Sequence, residues 1–142
     1  MTSWDQLPEH FRQEYDGLKK KLQHYEIILA QTENVLFSWD YIADTVSVSD
    51  TWETIFGFPL GCTELSRKLG RGHLFHPEDV PLLLDRVSEL RNGSDYEQLE
   101  ARILTIRGNY LWCRIRATAV RGEDGSLQKV LGIIINIDAE KR

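Results

Sequence analysis

The stretch Leu127-Gln128-Lys129-Val130-Leu131-Gly132-Ile133-Ile134-Ile135-Asn136-Ile137 decides the architecture of this chain. β-Branched residues dominate it and no proline interrupts it, so it reads as a strand. Ile133, Ile134 and Ile135 are consecutive. Successive side chains of a strand point to opposite sides, so this strand is apolar on both faces. A strand with one face in water would alternate instead, so both faces here want cover. The same run, Val130 to Ile135, is the longest apolar stretch in the chain. It is far short of the roughly 20 residues that cross a membrane.

Moving towards the N-terminus, Glu123-Asp124-Gly125 is a hairpin turn of the Asp-Gly kind. Before it, Tyr110 to Val120 alternates, with Cys113, Ile115, Ala117 and Ala119 on one side and Trp112, Arg114, Arg116 and Thr118 on the other. Arg107-Gly108-Asn109 makes a second turn. Tyr96 to Thr105 alternates in turn, with Leu99, Ala101 and Ile103 opposed to Glu100 and Arg102. The last third is therefore three consecutive strands.

Upstream, His76-Pro77-Glu78-Asp79 opens the clearest helix, with proline at the first position and acids in the first turn. Val80, Leu83, Leu84, Val87 and Leu90 share one helical face, and Asn92-Gly93 ends it. Residues 60 to 75, with three glycines and scattered leucines, predict short turns and loops. Asp50-Thr51-Trp52-Glu53 has the form of a capping box starting a brief helix that Gly57 and Pro59 stop. Val35 to Ile42 reads as a strand, Ala43-Asp44 as a turn, and Thr45 to Ser49 as a second, short strand. The order predicts an α+β domain: one five-stranded antiparallel sheet with helices on one face.

Residues 1–33 differ from the rest. Phe11, Tyr15, Leu18, Leu22, Tyr25 and Leu29 recur in steps of four and three, the seam of an amphipathic, coiled-coil-like helix. Three heptads are marginal alone, and Gly17 costs about 1 kcal/mol relative to alanine. The helix needs a partner, either the second layer of its own sheet or another copy of the chain. Leu18, Leu22, Tyr25 and Leu29, with the outward Trp112, are the candidate dimer interface. Residues 34–142 form the second division.

The chain has 142 residues, 42% hydrophobic and 27% charged, and a net charge of −5. That acidic balance disfavours nucleic-acid binding. Its one basic run, Lys19-Lys20-Lys21, lies among Glu14, Asp16 and Glu26 as a solvated helix face. Cys62 and Cys113 lack metal or redox spacing, and the N-terminus lacks a signal-peptide pattern, so a cytoplasmic setting is expected. No nucleophile elbow, zinc-protease, P-loop or dinucleotide motif is present. His10, His24, His73 and His76 have no metal-ligand spacing. No enzyme activity and no metal are expected.

Four motifs in order resemble the PAS family across roughly residues 30 to 142. Asp50 to Phe58 resembles its short-helix segment, and His76-Pro77-Glu78-Asp79 the step before its long helix. Gly108-Asn109-Tyr110-Leu111-Trp112 resembles its Gly-x-x-Trp hairpin, and Asp124-Gly125 with Gly132 to Asp138 its terminal PAC motif. Ala139 stands where the family usually has isoleucine and threonine after the aspartate. The resemblance implies a sheet and helices wrapped around an inner cavity. It also implies homodimerisation, a signal exit at Asp138, and an output domain such as a histidine kinase or diguanylate cyclase in a longer protein, from which this chain looks excised. Inward candidates for the cavity are Phe37, Trp39, Ile55, Phe56, Leu83 and Val87, followed on the later strands by Ala101, Ile103, Cys113, Ile115, Ala117 and Ile134. Either they pack a dry core, or the small Ala101, Cys113 and Ala117 leave room for an apolar or amphipathic ligand. No cofactor is evident. For haem, His73 is the axial candidate by resemblance, and Cys62 does not sit in the motif of flavin photoreceptors. The expectation is a sensory module relaying a small ligand or partner; the alternatives are a dry-cored interaction domain and a haem or flavin sensor.

Overall fold

A computed structural model of the chain describes residues 6–60, 62–63 and 74–141. It divides into two units, residues 1–32 and 33–142. The first is the helix α1 (Glu9–Ala30), entered through Pro8. Along it Phe11, Tyr15, Leu18, Leu22 and Tyr25 are all more than half exposed. Leu29 is half-buried. No described helix is long and apolar enough to cross a membrane.

The second unit runs β1 (Asn34–Asp40), β2 (Thr45–Val48), α2 (Thr51–Phe56) and β3 (Cys62–Thr63). It continues with α3 (Val80–Arg91), β4 (Tyr96–Leu104), β5 (Tyr110–Arg121), β6 (Leu127–Asn136) and α4 (Asp138–Lys141). All neighbouring strands are antiparallel, in the order β3-β2-β1-β6-β5-β4. The five strands read from the sequence are all there. The sixth, β3, is a two-residue edge pairing of Cys62 with Val46 and Thr63 with Thr45, too short to carry a strand pattern.

The apolar run of β6 is explained by its place. It lies between β1 and β5, with Ile134 opposite both Val35 and Ile115. Val35, Ile115 and Ile134 are buried in the core, with Trp39, Trp52, Phe56, Leu83, Leu99 and Val130. Gly132 sits opposite Phe37 on one side and Ala117 on the other. A Cβ there would run into the Arg116 carbonyl and the Phe37 ring, so only glycine lets the strands close over Phe37.

Two local expectations are corrected. Asp50 does not cap α2: it is itself in a helical conformation and its side chain makes no cap hydrogen bond. Hydroxyl groups do the joining instead. Ser49 Oγ accepts from the Leu36 N–H (2.9 Å) and lies 2.8 Å from Thr51 Oγ1, which donates to the Asn34 carbonyl (2.7 Å). The start of α2 is thus tied to β1, and Asp50 is left in solvent. Gly57 does end α2, at φ 88°, its N–H donating to the Glu53 carbonyl. The second correction is in the long helix. Pro77–Asp79 forms a 3₁₀ turn, with His76 Nδ1 accepting from the Glu78 N–H, and the α-helix begins at Val80. Leu83 and Leu90 are buried and Val80 and Val87 half-buried, but Leu84 is exposed. A residue advances about 100° around the axis. Leu84 therefore falls off the inward arc, and Arg86 lies nearer it.

Replacing Gly132 with alanine should destabilise the domain by about 2 kcal/mol, the scale of overpacking a closed core. Chemical denaturation monitored by tryptophan fluorescence measures it. A variant as stable as the parent would mean that β6 and Phe37 move apart without cost.

Candidate functional site: an apolar cavity and its link to the C-terminus

Between the concave face of the sheet and the helices lies a cavity of about 100 Å³. Its wall takes Phe37 and Trp39 from β1, Val46 and Val48 from β2, and Trp52 from α2. Leu83, Arg86, Val87 and Leu90 come from α3, and Glu97 and Leu99 from β4. Ile115, Ala117, Val130 and Ile134 complete the sheet side, with Leu60, Leu74 and Phe75 from the connecting segments.

The structure thus brings together Phe37, Trp39, Leu83, Val87, Ile115, Ala117 and Ile134 from the expected set. Phe56, Ala101, Ile103 and Cys113 are buried, and Ile55 packs against the same core, but all five stand outside the cavity wall. Ala101 and Cys113 are register partners, both completely buried. They belong to the packed core and not to the cavity wall. Burial pushes the Cys113 thiol up to about 12, with the Asp138 charge adding to it. It is therefore an unreactive thiol near neutral pH. His73 lies outside the described residues, as does the side chain of Cys62. Among the described residues no three histidine, cysteine or acidic side chains are grouped to hold a metal.

Sequence reasoning missed the polar part of the wall. Arg86 Nη1 lies 3.6 Å from Glu97 Oε1 and 3.3 Å from Asp85 Oδ2. Ser94 Oγ donates to Glu97 Oε2 at 2.6 Å. Glu97 has the inward parity of Leu99, Ala101 and Ile103, and that signal was available. Trp52 is also on the wall; its i, i+4 pairing with Phe56 marks an inner face, and the ring centroids are 4.2 Å apart. Trp39 Nε1 donates to Asp44 at 3.0 Å. Trp52 Nε1 and Arg86 Nε are buried with no hydrogen-bond partner among the described residues.

The helix that walls the cavity is clasped to the sheet at its start. Asp79 Oδ2 accepts from the Arg102 main-chain N–H (2.8 Å) and from Nε (3.0 Å), and Oδ1 accepts from Nη2 (2.9 Å). Glu78 also receives Nη2, at 3.1 Å. Desolvation alone would raise the Asp79 carboxyl, but the hydrogen bonds from Arg102 outweigh it and hold the group below the usual carboxylate range.

On the outer face the Arg102 guanidinium stands 4.8 Å from the centre of the Trp112 ring, and the Lys141 ammonium 4.9 Å from it. Lys141 pairs with Glu100 at 2.7 Å, and Arg114 reaches Glu100 at 3.1 Å and Glu140 at 3.4 Å. These hydrogen bonds, from Lys141 and then Arg114, hold the Glu100 carboxyl low. The Trp112 main chain is held as well: its N–H donates to Asp138 Oδ1 at 3.3 Å, and its carbonyl accepts from the Ile137 N–H at 2.9 Å. Trp112 and Asp138, singled out separately in the sequence, therefore meet.

A family model described as the PAS fold matches residues 45–134. The chain belongs to the PAS fold family. The N-terminal domain of a diguanylate cyclase with a PAS/PAC sensor from Marinobacter aquaeolei superposes with a TM-score of 0.67 at 20% identity, over 77% of this chain and 99% of that one. A sensory box histidine kinase/response regulator from Burkholderia thailandensis gives 0.68 at 19% identity, over 83% of this chain and 87% of that one. Among curated sequences, an uncharacterized protein of Sinorhizobium fredii is 24% identical over 129 residues. That alignment takes in 89% of this chain but spans only 15% of the relative's length.

Asp79 titrates lower folded than unfolded, where a carboxyl has a pKa of about 3.9. Its contribution is therefore complete above that value and is lost as pH falls through the lower folded value. Asp79→Asn should cost about 2 kcal/mol at neutral pH, as for a charged hydrogen bond. The difference from the parent should shrink below about pH 4. Urea titrations at several pH values measure both; a gap constant down to the most acid point would refute the charge assignment.

Proposed function

We propose that this domain is a regulatory sensor that takes a small molecule into the cavity and passes the event to an output domain of a longer protein. One observation carries the reading: the helix that walls the cavity is continuous, through a named set of contacts, with the C-terminal exit. α3 supplies four wall residues. The acid preceding it grips Arg102, Arg102 stacks on Trp112, and Trp112 is bonded to Asp138 and flanked by Lys141. A ligand acts through such a chain only if it favours one of two arrangements of α3 over the other. The proposal needs no catalytic step. Histidine kinase and diguanylate cyclase outputs are suggested by the structural neighbours.

Cavity size favours a small ligand over a haem or flavin. Cofactor and drug-sized pockets run to roughly 300–1,000 Å³, against about 100 Å³ here. Native mass spectrometry of freshly purified protein, with a metabolite panel read by thermal shift, tests the proposal. A retained or stabilising small molecule is expected. A colourless, empty protein that no compound stabilises would count against ligand sensing.

A second reading, association through α1, has its own observation. Leu18 and Leu22 are each 62% exposed and Tyr25 66% on a helix with a heptad seam. We place a homodimer contact there, made by α1 of two copies. Light scattering should give a dimer for the full chain and a monomer for Leu18→Asp combined with Leu22→Asp. A parent that is monomeric at high concentration would remove this role.

A further inference from the structure

The surface of the cavity restricts what can enter it. Among the described residues Arg86 and Glu97 belong to the wall, yet no polar atom opens onto the space. Both therefore present the hydrocarbon part of their side chains. Their charged ends are engaged with other groups: Arg86 Nη1 lies 3.6 Å from Glu97 Oε1 and 3.3 Å from Asp85 Oδ2, and Ser94 Oγ donates to Glu97 Oε2 at 2.6 Å. A ligand carrying a charge or a hydrogen-bonding group would leave its hydration behind and find no partner on such a surface. Water meets the same obstacle, since a water held in a cavity needs polar partners, and an apolar cavity stays dry. The space is also held open. Its floor is the paired strands β1, β6 and β5, and the Asp79–Arg102 pair sets α3 over them. An apolar molecule gives up only its unfavourable contact with water on entering, and it supplies the contacts that an unfilled space forfeits.

We infer that the cavity takes a small hydrocarbon-like molecule without hydrogen-bonding groups, such as a short alkene or alkane, and rejects polar and charged molecules of the same shape. This deepens the reading of the cavity as the sensing site and rests on it. Volume sets the size. Benzene, with six non-hydrogen atoms, occupies an apolar cavity of about 150 Å³. The cavity of about 100 Å³ here therefore suits about four. The molecule lies against Phe37, Val87, Ile115 and Ile134, all of them on the wall.

Three planar molecules of one shape separate chemistry from size: isobutene; acetone, in which an oxygen replaces the methylene; and acetate, which adds a charge. Nuclear magnetic resonance on the full chain reads the methyl signals of Val87, Ile115 and Ile134. The indole N–H signal of Trp112, assigned from Trp112→Phe, reports on the C-terminal exit. Isobutene should shift the methyls saturably and bind more tightly than acetone by roughly tenfold or more, with acetate weaker still. Benzene should be excluded from the parent and admitted by Val87→Ala, which widens the cavity. If that variant does not fold, the parent's choice between isobutene and benzene decides the size. Acetone or acetate binding as tightly as isobutene would overturn the apolar class and leave the sensing cavity standing. Benzene binding to the parent as tightly as isobutene would overturn the size. Methyls that answer isobutene while the Trp112 indole stays unmoved would leave the ligand class intact and overturn the relay to the exit. Methyls that respond to none of the probes would overturn both the ligand class and the cavity's role.

Discussion

The pairing of Asp79 with Arg102 is the contact on which the arrangement depends. β4 is the last strand of the sheet, and an edge strand presents unpaired main-chain groups. The segment before α3 takes them up in sequence. The Leu104 N–H donates to the Leu74 carbonyl, the Arg102 carbonyl accepts from the His76 N–H, and the Arg102 N–H goes to the Asp79 carboxylate. One carboxylate, on the residue that precedes the helix, thus completes the closure of the edge and neutralises an arginine. With 12% of its side chain exposed against 22% for Arg102, the pair is shielded enough to matter more than a surface ion pair. α3 is thereby held where its inner arc faces β4, β5 and β6, and the cavity exists because of that placement.

The opposite edge is closed differently. β2 is bordered by two residues of β3, and α2 is joined to β1 by the hydroxyls of Ser49 and Thr51. Between the edges, β6 is the strand that both halves share. Its continuous isoleucines serve a core on one face and an outer layer of half-buried side chains on the other. Phe37 can lie across β6 only because residue 132 has no side chain. The cavity therefore has a rigid floor of paired strands and a wall held by one carboxylate. Such a division suits a site in which the wall moves and the floor does not.

The fold was legible because each strand repeated its period and each turn carried its residue. Alternation from Leu99 to Ile103 and from Cys113 to Ala117 assigned the inward face correctly, and the runs at Gly108 and Gly125 marked the hairpins. β3 was not legible, since two residues define no period. The error at Asp50 has a physical origin: Ser49 offered a hydroxyl one residue earlier, and β1 needed it. Leu84 is apolar yet exposed, because about 100° per residue turns it away from the arc of Leu83 and Leu90. The cavity was legible only in part. Parity says which side chains point inward, not which of them border open space. Ala101 and Cys113 are inward and small, yet they border no open space. Arg86 escaped notice because a charged residue near an apolar arc looks like a surface residue until its partner, Glu97, is placed across from it.

A cavity this small limits how any sensor built on it can work. The best small ligands gain at most about 1.5 kcal/mol per non-hydrogen atom. Benzene, with six, fills a cavity of about 150 Å³, so the cavity of about 100 Å³ here takes about four, and they reach no more than roughly 6 kcal/mol. Reversing a two-state equilibrium from 1:99 to 99:1 needs a difference in affinity of about 5.5 kcal/mol. Nearly all the binding energy would have to distinguish the states, which a mostly apolar contact does not do. What distinguishes them best is a directional contact, made in one arrangement of α3 and not in the other. A hydrogen bond contributes about 1 kcal/mol net, a factor of roughly five. The two arrangements of α3 must then already lie within about 1–2 kcal/mol of each other for so small a ligand to matter.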